Sequence, residues 1–66
     1  MAVKNRLRDI RFEMKMDQND FSELLGVGQS LYNKWEKNRS QPNVESLLKL
    51  AKALKRPVED IVYLDE

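Results

Sequence analysis

A small all-α domain of five helices is the fold class this sequence predicts, and three observations carry the prediction. Apolar residues recur at three- and four-residue spacing along most of the chain, the period of a helix and not of a strand. Residues that cap, end or break helices (Asp17, Gly26, Gly28, Pro42, Asn43 and Pro57) cut that pattern into short segments. With 66 residues and no cysteine, the chain must rely on one small core without disulfide support, so residues 1–66 read as a single domain.

The first helix is expected over residues 4–15, where Leu7, Ile10 and Met14 share a face. Asp17 reads as the N-cap of the second helix, with Asp20 three residues on as a shortened capping box. That helix carries Phe21, Leu24 and Leu25 and stops at Gly26. Gly28 is an acceptable N-cap for the third, which runs through Glu36 to about Lys37, and Asn38 tolerates the left-handed backbone that ends a helix. Pro42 closes the loop "NRSQP" to any helix. Asn43 caps the fourth helix, with Glu45 favourably placed in its first turn. Its Val44, Leu47, Leu48, Leu50, Ala51 and Leu54 spread over about 160° of the helical wheel, which marks it as the central core element. Pro57 begins a fifth short helix through Val62, although the tail "VYLDE" reads equally as a short strand.

The residues present exclude much chemistry. Without histidine or cysteine, most zinc sites and most nucleophile–base pairs are gone, so no metal site, cofactor or catalytic centre is expected. The longest apolar runs are too short to span a membrane, and "MAVKNRLR" lacks the apolar core of a secretion signal, so a cytoplasmic protein is expected. No second domain is expected to sense a small-molecule ligand. The net charge of +1 is unevenly spread: residues 1–15 hold five cations against two carboxylates, while residues 57–66 hold four carboxylates and no cation. That balance permits a nucleic-acid partner without demanding one.

The third helix is the most informative segment. Stepping about 100° per residue, Leu31, Tyr32 and Trp35 fall in one arc of roughly 100°. Gln29, Ser30, Asn33, Lys34 and Lys37 fill the opposite arc of about 140°, which holds amides, a hydroxyl and ammonium groups but no carboxylate. On an arbitrary helix such a face is ordinary solvated surface. It also suits a helix that reads base edges in a DNA major groove, where Gln and Asn offer a planar donor–acceptor pair.

The stretch "DQNDFSELLGVGQSLYNKWE" in second and third helical position, followed by "QPNVESLLKLAKAL", resembles the lambda-repressor-like, Cro-type helix-turn-helix family of small DNA-binding regulators. The resemblance covers nearly the whole chain and places the helix-turn-helix at about residues 18–37. In this register Gln18 opens the second helix, small Ser22 sits where the two helices cross, Gly26 makes the turn and Val27 plugs it. The resemblance implies that the third helix is the recognition helix. Gln29, Ser30, Asn33 and Lys34 are then the expected base readers. Gln18, Gly28, Lys37, Arg39, Ser40 and Gln41 are the expected contacts to the DNA backbone, with Gln18 also bracing Gln29. Tyr32 and Trp35 are expected in the core rather than stacked on bases. Arg11 and Glu36 are implied to form a structural ion pair between the first and third helices. Lys49 and Lys52 read as the solvated face of the fourth helix.

Some positions depart from the family pattern. Lys15 and Lys55 stand where relatives often have a helix-ending glycine, so those turns are expected to cost more. Phe12 occupies a usually charged position, and with Met14 it either extends the core or faces a partner. The leading functional reading is a sequence-specific regulator, a repressor of near-palindromic double-stranded DNA acting as a homodimer. Its expected seam is Val58, Ile61, Val62, Tyr63 and Leu64, with Val3 able to pair alongside the tail. The alternative is a protein-interaction module such as the antitoxin of a toxin–antitoxin pair. An enzyme ranks far below both.

Overall fold

The computed structural model describes residues 2–66 as five helices and a two-stranded antiparallel ribbon. In chain order the elements are β1 (Ala2–Asn5), α1 (Leu7–Glu13), α2 (Gln18–Leu25), α3 (Gln29–Glu36), α4 (Val44–Leu54), α5 (Val58–Ile61) and β2 (Val62–Asp65). The ribbon joins the two ends of the described chain, with Val3 opposite Leu64 and Asn5 opposite Val62. No helix of the described residues is long and apolar enough to cross a membrane.

The first helix is shorter than its periodicity predicts. Residues 2–5 pair with the tail instead, because Val62, Tyr63 and Leu64 supply a ladder that no local helical contact matches. Asn5 then starts α1: its side-chain Oδ1 accepts from the Leu7 N–H at 3.1 Å, while the Arg6 N–H donates to the Ile61 carbonyl at 2.8 Å. At the other end α1 stops at Glu13, which leaves Met14 exposed instead of on the core face with Leu7 and Ile10. Phe12 does not extend the core either; it lies outside, beneath the guanidinium groups of Arg8 at 5.3 Å and Arg11 at 4.7 Å.

The caps expected for α2 and α4 form. Asp17 accepts from the Asp20 N–H and Asn43 from the Ser46 N–H, each at 2.8 Å, satisfying helix-terminal donors that would otherwise face only water. Gly26 ends α2 with φ 73°, a left-handed conformation available to glycine at little cost. Its N–H donates to the Glu23 carbonyl and the Val27 N–H to that of Ser22, both at 3.0 Å, which turns the chain tightly into α3. Ser22 is buried beside this turn, where a larger side chain would push the helices apart.

The core gathers Leu7, Ile10, Phe21, Leu25, Tyr32, Trp35, Leu50 and Ile61, with Met16, Val27, Leu47, Ala51, Leu54 and Val62 packed at its margin. Phe21 and Tyr32 meet edge to face, centroids 5.5 Å apart, so the core itself fixes α3 against α2. Two expectations need correction here. α4 is not the central element: of its apolar residues only Leu50 is buried, while Val44 is 74% and Leu48 59% exposed, because its neighbours cover one side of a wide apolar arc. Ile61 cannot belong to a dimer seam, since it is completely buried within its own chain.

Candidate nucleic-acid interface

The outer face of α3 is set by what its inner face buries. Tyr32 and Trp35 point into the core, so Gln29, Ser30 and Lys34 face solvent and Asn33 lies half-buried at the boundary. Leu31, at the edge of the apolar arc, remains exposed. Gly28 caps α3 with φ −67°, and a Cβ there would meet no atom within 4 Å; the fold itself does not require glycine at this position.

Gln18, Gln29, Ser30, Asn33, Lys34 and Arg39 line one open concavity of about 430 Å³. Thus all four expected readers converge with two of the expected backbone contacts, drawn from α2, α3 and the loop that follows. The lining includes two cations and no carboxylate. Such a surface offers hydrogen-bond donors and acceptors in a positive field.

Behind this surface lies an ion pair. Arg11 grips Glu36 with two prongs, Nε to Oε2 at 3.0 Å and Nη2 to Oε1 at 2.9 Å, and its Nη1 donates to the Met16 carbonyl at 3.0 Å. Both side chains are largely sequestered, 12% and 7% exposed. Burial pushes the Glu36 carboxyl upward, but hydrogen bonds, those of Arg11 foremost, outweigh it and hold the group below its ordinary value. Burial also keeps the Tyr32 phenol protonated, and its hydroxyl lies buried beside the Glu36 carboxylate.

Gln18 connects the pair to the surface, donating from Nε2 to Glu36 Oε1 at 3.2 Å and accepting from Asn33 Nδ2 at 3.2 Å. Its partner on α3 is therefore Asn33, not Gln29 as expected. A residue four positions along the helix from Gln29 presents its amide toward the start of α2.

Two residues of the following loop are turned inward. The Ser40 hydroxyl is buried, which removes it as a donor to an outside phosphate. The Gln41 amide accepts from Asn5 Nδ2 at 2.7 Å and donates to Asn38 Oδ1 at 2.9 Å. Lys37 is exposed but lies outside the lining of the concavity. The organising residue is Asn5, for which the sequence by itself suggests no role. It is buried, its N–H donates to Asn38 Oδ1 at 2.8 Å and its Nδ2 also donates to the Trp35 carbonyl at 2.7 Å. The available signal was a helix-capping residue type two positions ahead of Leu7.

A tight two-helix turn, the second helix anchored by aromatics and its polar face turned outward, defines a helix-turn-helix protein. The chain belongs to the helix-turn-helix family, whose model matches residues 7–61. Over 58 residues it is 33% identical to the cryptic phage CTXphi transcriptional repressor RstR of Vibrio cholerae, covering 88% of this chain and 52% of that protein. Over 49 residues it is 37% identical to repressor protein C2 of Salmonella phage P22, covering 74% of this chain and 23% of that protein. The chain thus spans about half the length of the first relative and a quarter of the second. The same fold occurs in the crystal structure of a proposed DNA-binding protein from Bacteroides fragilis, with a TM-score of 0.80 at 22% identity, covering 94% of this chain and all of that one.

Proposed function

We propose that this chain binds double-stranded DNA sequence-specifically and represses transcription in the cytoplasm by occupying an operator, without catalysis or a cofactor. The observation that carries this reading is the carboxylate-free concavity, in which Gln29, Ser30, Asn33 and Lys34 of α3 converge with Gln18 and Arg39. The names of two relatives, both transcriptional or phage repressors, support it. A major groove admits a helix of this width, and amide side chains pair with adenine while lysine pairs with guanine. Arg39 and Lys37 contact phosphates, as does Gln18 at the N-terminus of α2.

The chain acts as a homodimer in this reading, because one recognition helix discriminates too few base pairs against a genome of competing sites. The seam is the exposed ribbon, with Val3 and Leu64 on one face and Tyr63 on the other, flanked by half-buried Val58 and Val62. Two copies would read half-sites roughly 34 Å apart.

Selection of bound duplexes from random DNA, at a stated salt concentration, tests this directly. Enrichment of a near-palindrome is the expected result. A chain that retains duplexes without enriching any motif, or retains none, overturns the reading.

A further inference from the structure

Gln18 and Asn33 of the concavity's lining end a chain of hydrogen bonds that begins behind it at Glu36, and chemistry forces its donor order. The Glu36 carboxylate has acceptors only, and Arg11 occupies both oxygens. Gln18 must therefore turn its amide nitrogen toward Glu36, which leaves its carbonyl oxygen for Asn33. That oxygen in turn takes a proton of Asn33 Nδ2. An asparagine amide has two ends of nearly equal size, so packing alone would not choose between its two orientations. Here the choice is made two side chains away.

We infer that Glu36, held by Arg11, is a positioning residue for base specificity: through Gln18 it fixes which way the Asn33 amide faces. The inference rests on the reading of α3 as the base-reading helix. With one Nδ2 proton engaged by Gln18, Asn33 presents its other N–H and its oxygen in a set order. That edge matches the adenine N7 acceptor and N6 donor. Rotated by half a turn in the same docked pose, it would set donor against donor and acceptor against acceptor. The order is enforced from a charged group, whose field strengthens each bond along the chain.

Three substitutions separate this role from simple support of the fold. Gln18→Met keeps length and leaves the ion pair intact but can neither accept from Asn33 nor donate to Glu36. Glu36→Gln offers Gln18 either a donor or an acceptor, so the order is no longer imposed. Asn33→Ala removes the reader. Affinities for the selected duplex and for one altered at the Asn33-dependent base pair give a discrimination ratio for each variant. Each single substitution should lower that ratio by about fivefold or more, and Gln18→Met should add nothing in an Asn33→Ala background. Uniform weakening on both duplexes, with the ratio unchanged, would overturn the inference and leave Gln18 as a phosphate contact only.

A second readout needs no DNA. The Asn33 side-chain amide protons should give dispersed NMR signals in the wild type that move toward free-amide positions in Gln18→Met and Glu36→Gln; unmoved signals overturn the inference. Should Glu36→Gln unfold, Gln18→Met carries both measurements. A wild type that enriches no motif overturns the DNA reading and the specificity role together, even with responsive amide signals. A wild type that enriches one, while the variants keep its preference, overturns the positioning role alone.

Discussion

Arg11 and Glu36, 25 residues apart in sequence, lock α1 to α3 through two parallel hydrogen bonds of 3.0 and 2.9 Å. The planar guanidinium matches the carboxylate in both directions, and little of either group reaches water. Breaking one side of such a pair leaves an uncompensated buried charge. Arg11→Met or Glu36→Leu alone should therefore cost about 3–5 kcal/mol, and the double substitution clearly less than the sum of the two. Urea denaturation of the four proteins measures the coupling; additive costs would show that the two groups do not support each other.

The same pair sets an acid limit on stability. Its folded carboxyl titrates lower than a free glutamate, so the folded state favours the ionised form. This contribution is fully present above the unfolded value of about 4.3 and is lost as pH falls through the lower folded value. Denaturation midpoints followed from about pH 6 to about pH 3 should fall steeply in the wild type and less in Glu36→Gln. Equal slopes would remove Glu36 as the source.

Among the described residues three that are not glycine hold left-handed backbone: Lys15 at φ 57°, Asn38 at 58° and Lys55 at 56°. Lys15→Gly and Lys55→Gly should each stabilise by up to about 1 kcal/mol, since relief of strain exceeds the extra freedom of the unfolded chain. Asn38→Gly should act oppositely, costing about 1–3 kcal/mol, because its Oδ1 accepts from the buried Asn5 N–H and from Gln41. Thermal melts of the three variants decide this, and stabilisation by Asn38→Gly would contradict it.

Readers and clamps should part company in binding. Gln29→Ala should cost about 1–3 kcal/mol on the selected duplex and little on random DNA. Arg39→Ala should weaken both alike and reduce the slope of log affinity against log salt by about one. Titrations at several salt concentrations would refute the division if the two variants behaved the same.

The ribbon and the buried Ile61 of the fifth helix predict different failures. Leu64→Asp places a charge on an exposed residue, so the chain should stay folded while sedimenting as a monomer at micromolar concentration. Ile61→Asp buries an unpaired charge in the core and should unfold the chain outright. A folded, dimeric Leu64→Asp would exclude the ribbon as the seam.

Local chemistry in the sequence was enough to place the helix ends, and the family resemblance placed the helix-turn-helix among them. Asp17, Gly26, Gly28 and Asn43 mark helix ends through hydrogen bonds and backbone preferences that involve only near neighbours, and helical period groups Tyr32 and Trp35 on one apolar arc, although Leu31 of the same arc lies exposed. The polar arc of α3 was legible for the same reason: once one face is buried, the opposite face is determined. Tertiary structure alone decided the rest. Whether residues 2–5 are helix or strand depends on the tail some sixty positions away, a partner that no short window contains. Val44 and Leu48 look like core and lie exposed, because periodicity shows which side of a helix is apolar and not how much of it neighbours will cover. Gln18 reaches Asn33 and Glu36, and Asn5 reaches Trp35, Asn38 and Gln41, only once the helices are packed. A polar side chain can satisfy its donors and acceptors with many partners, and the folded geometry alone brings one set within three ångströms or so.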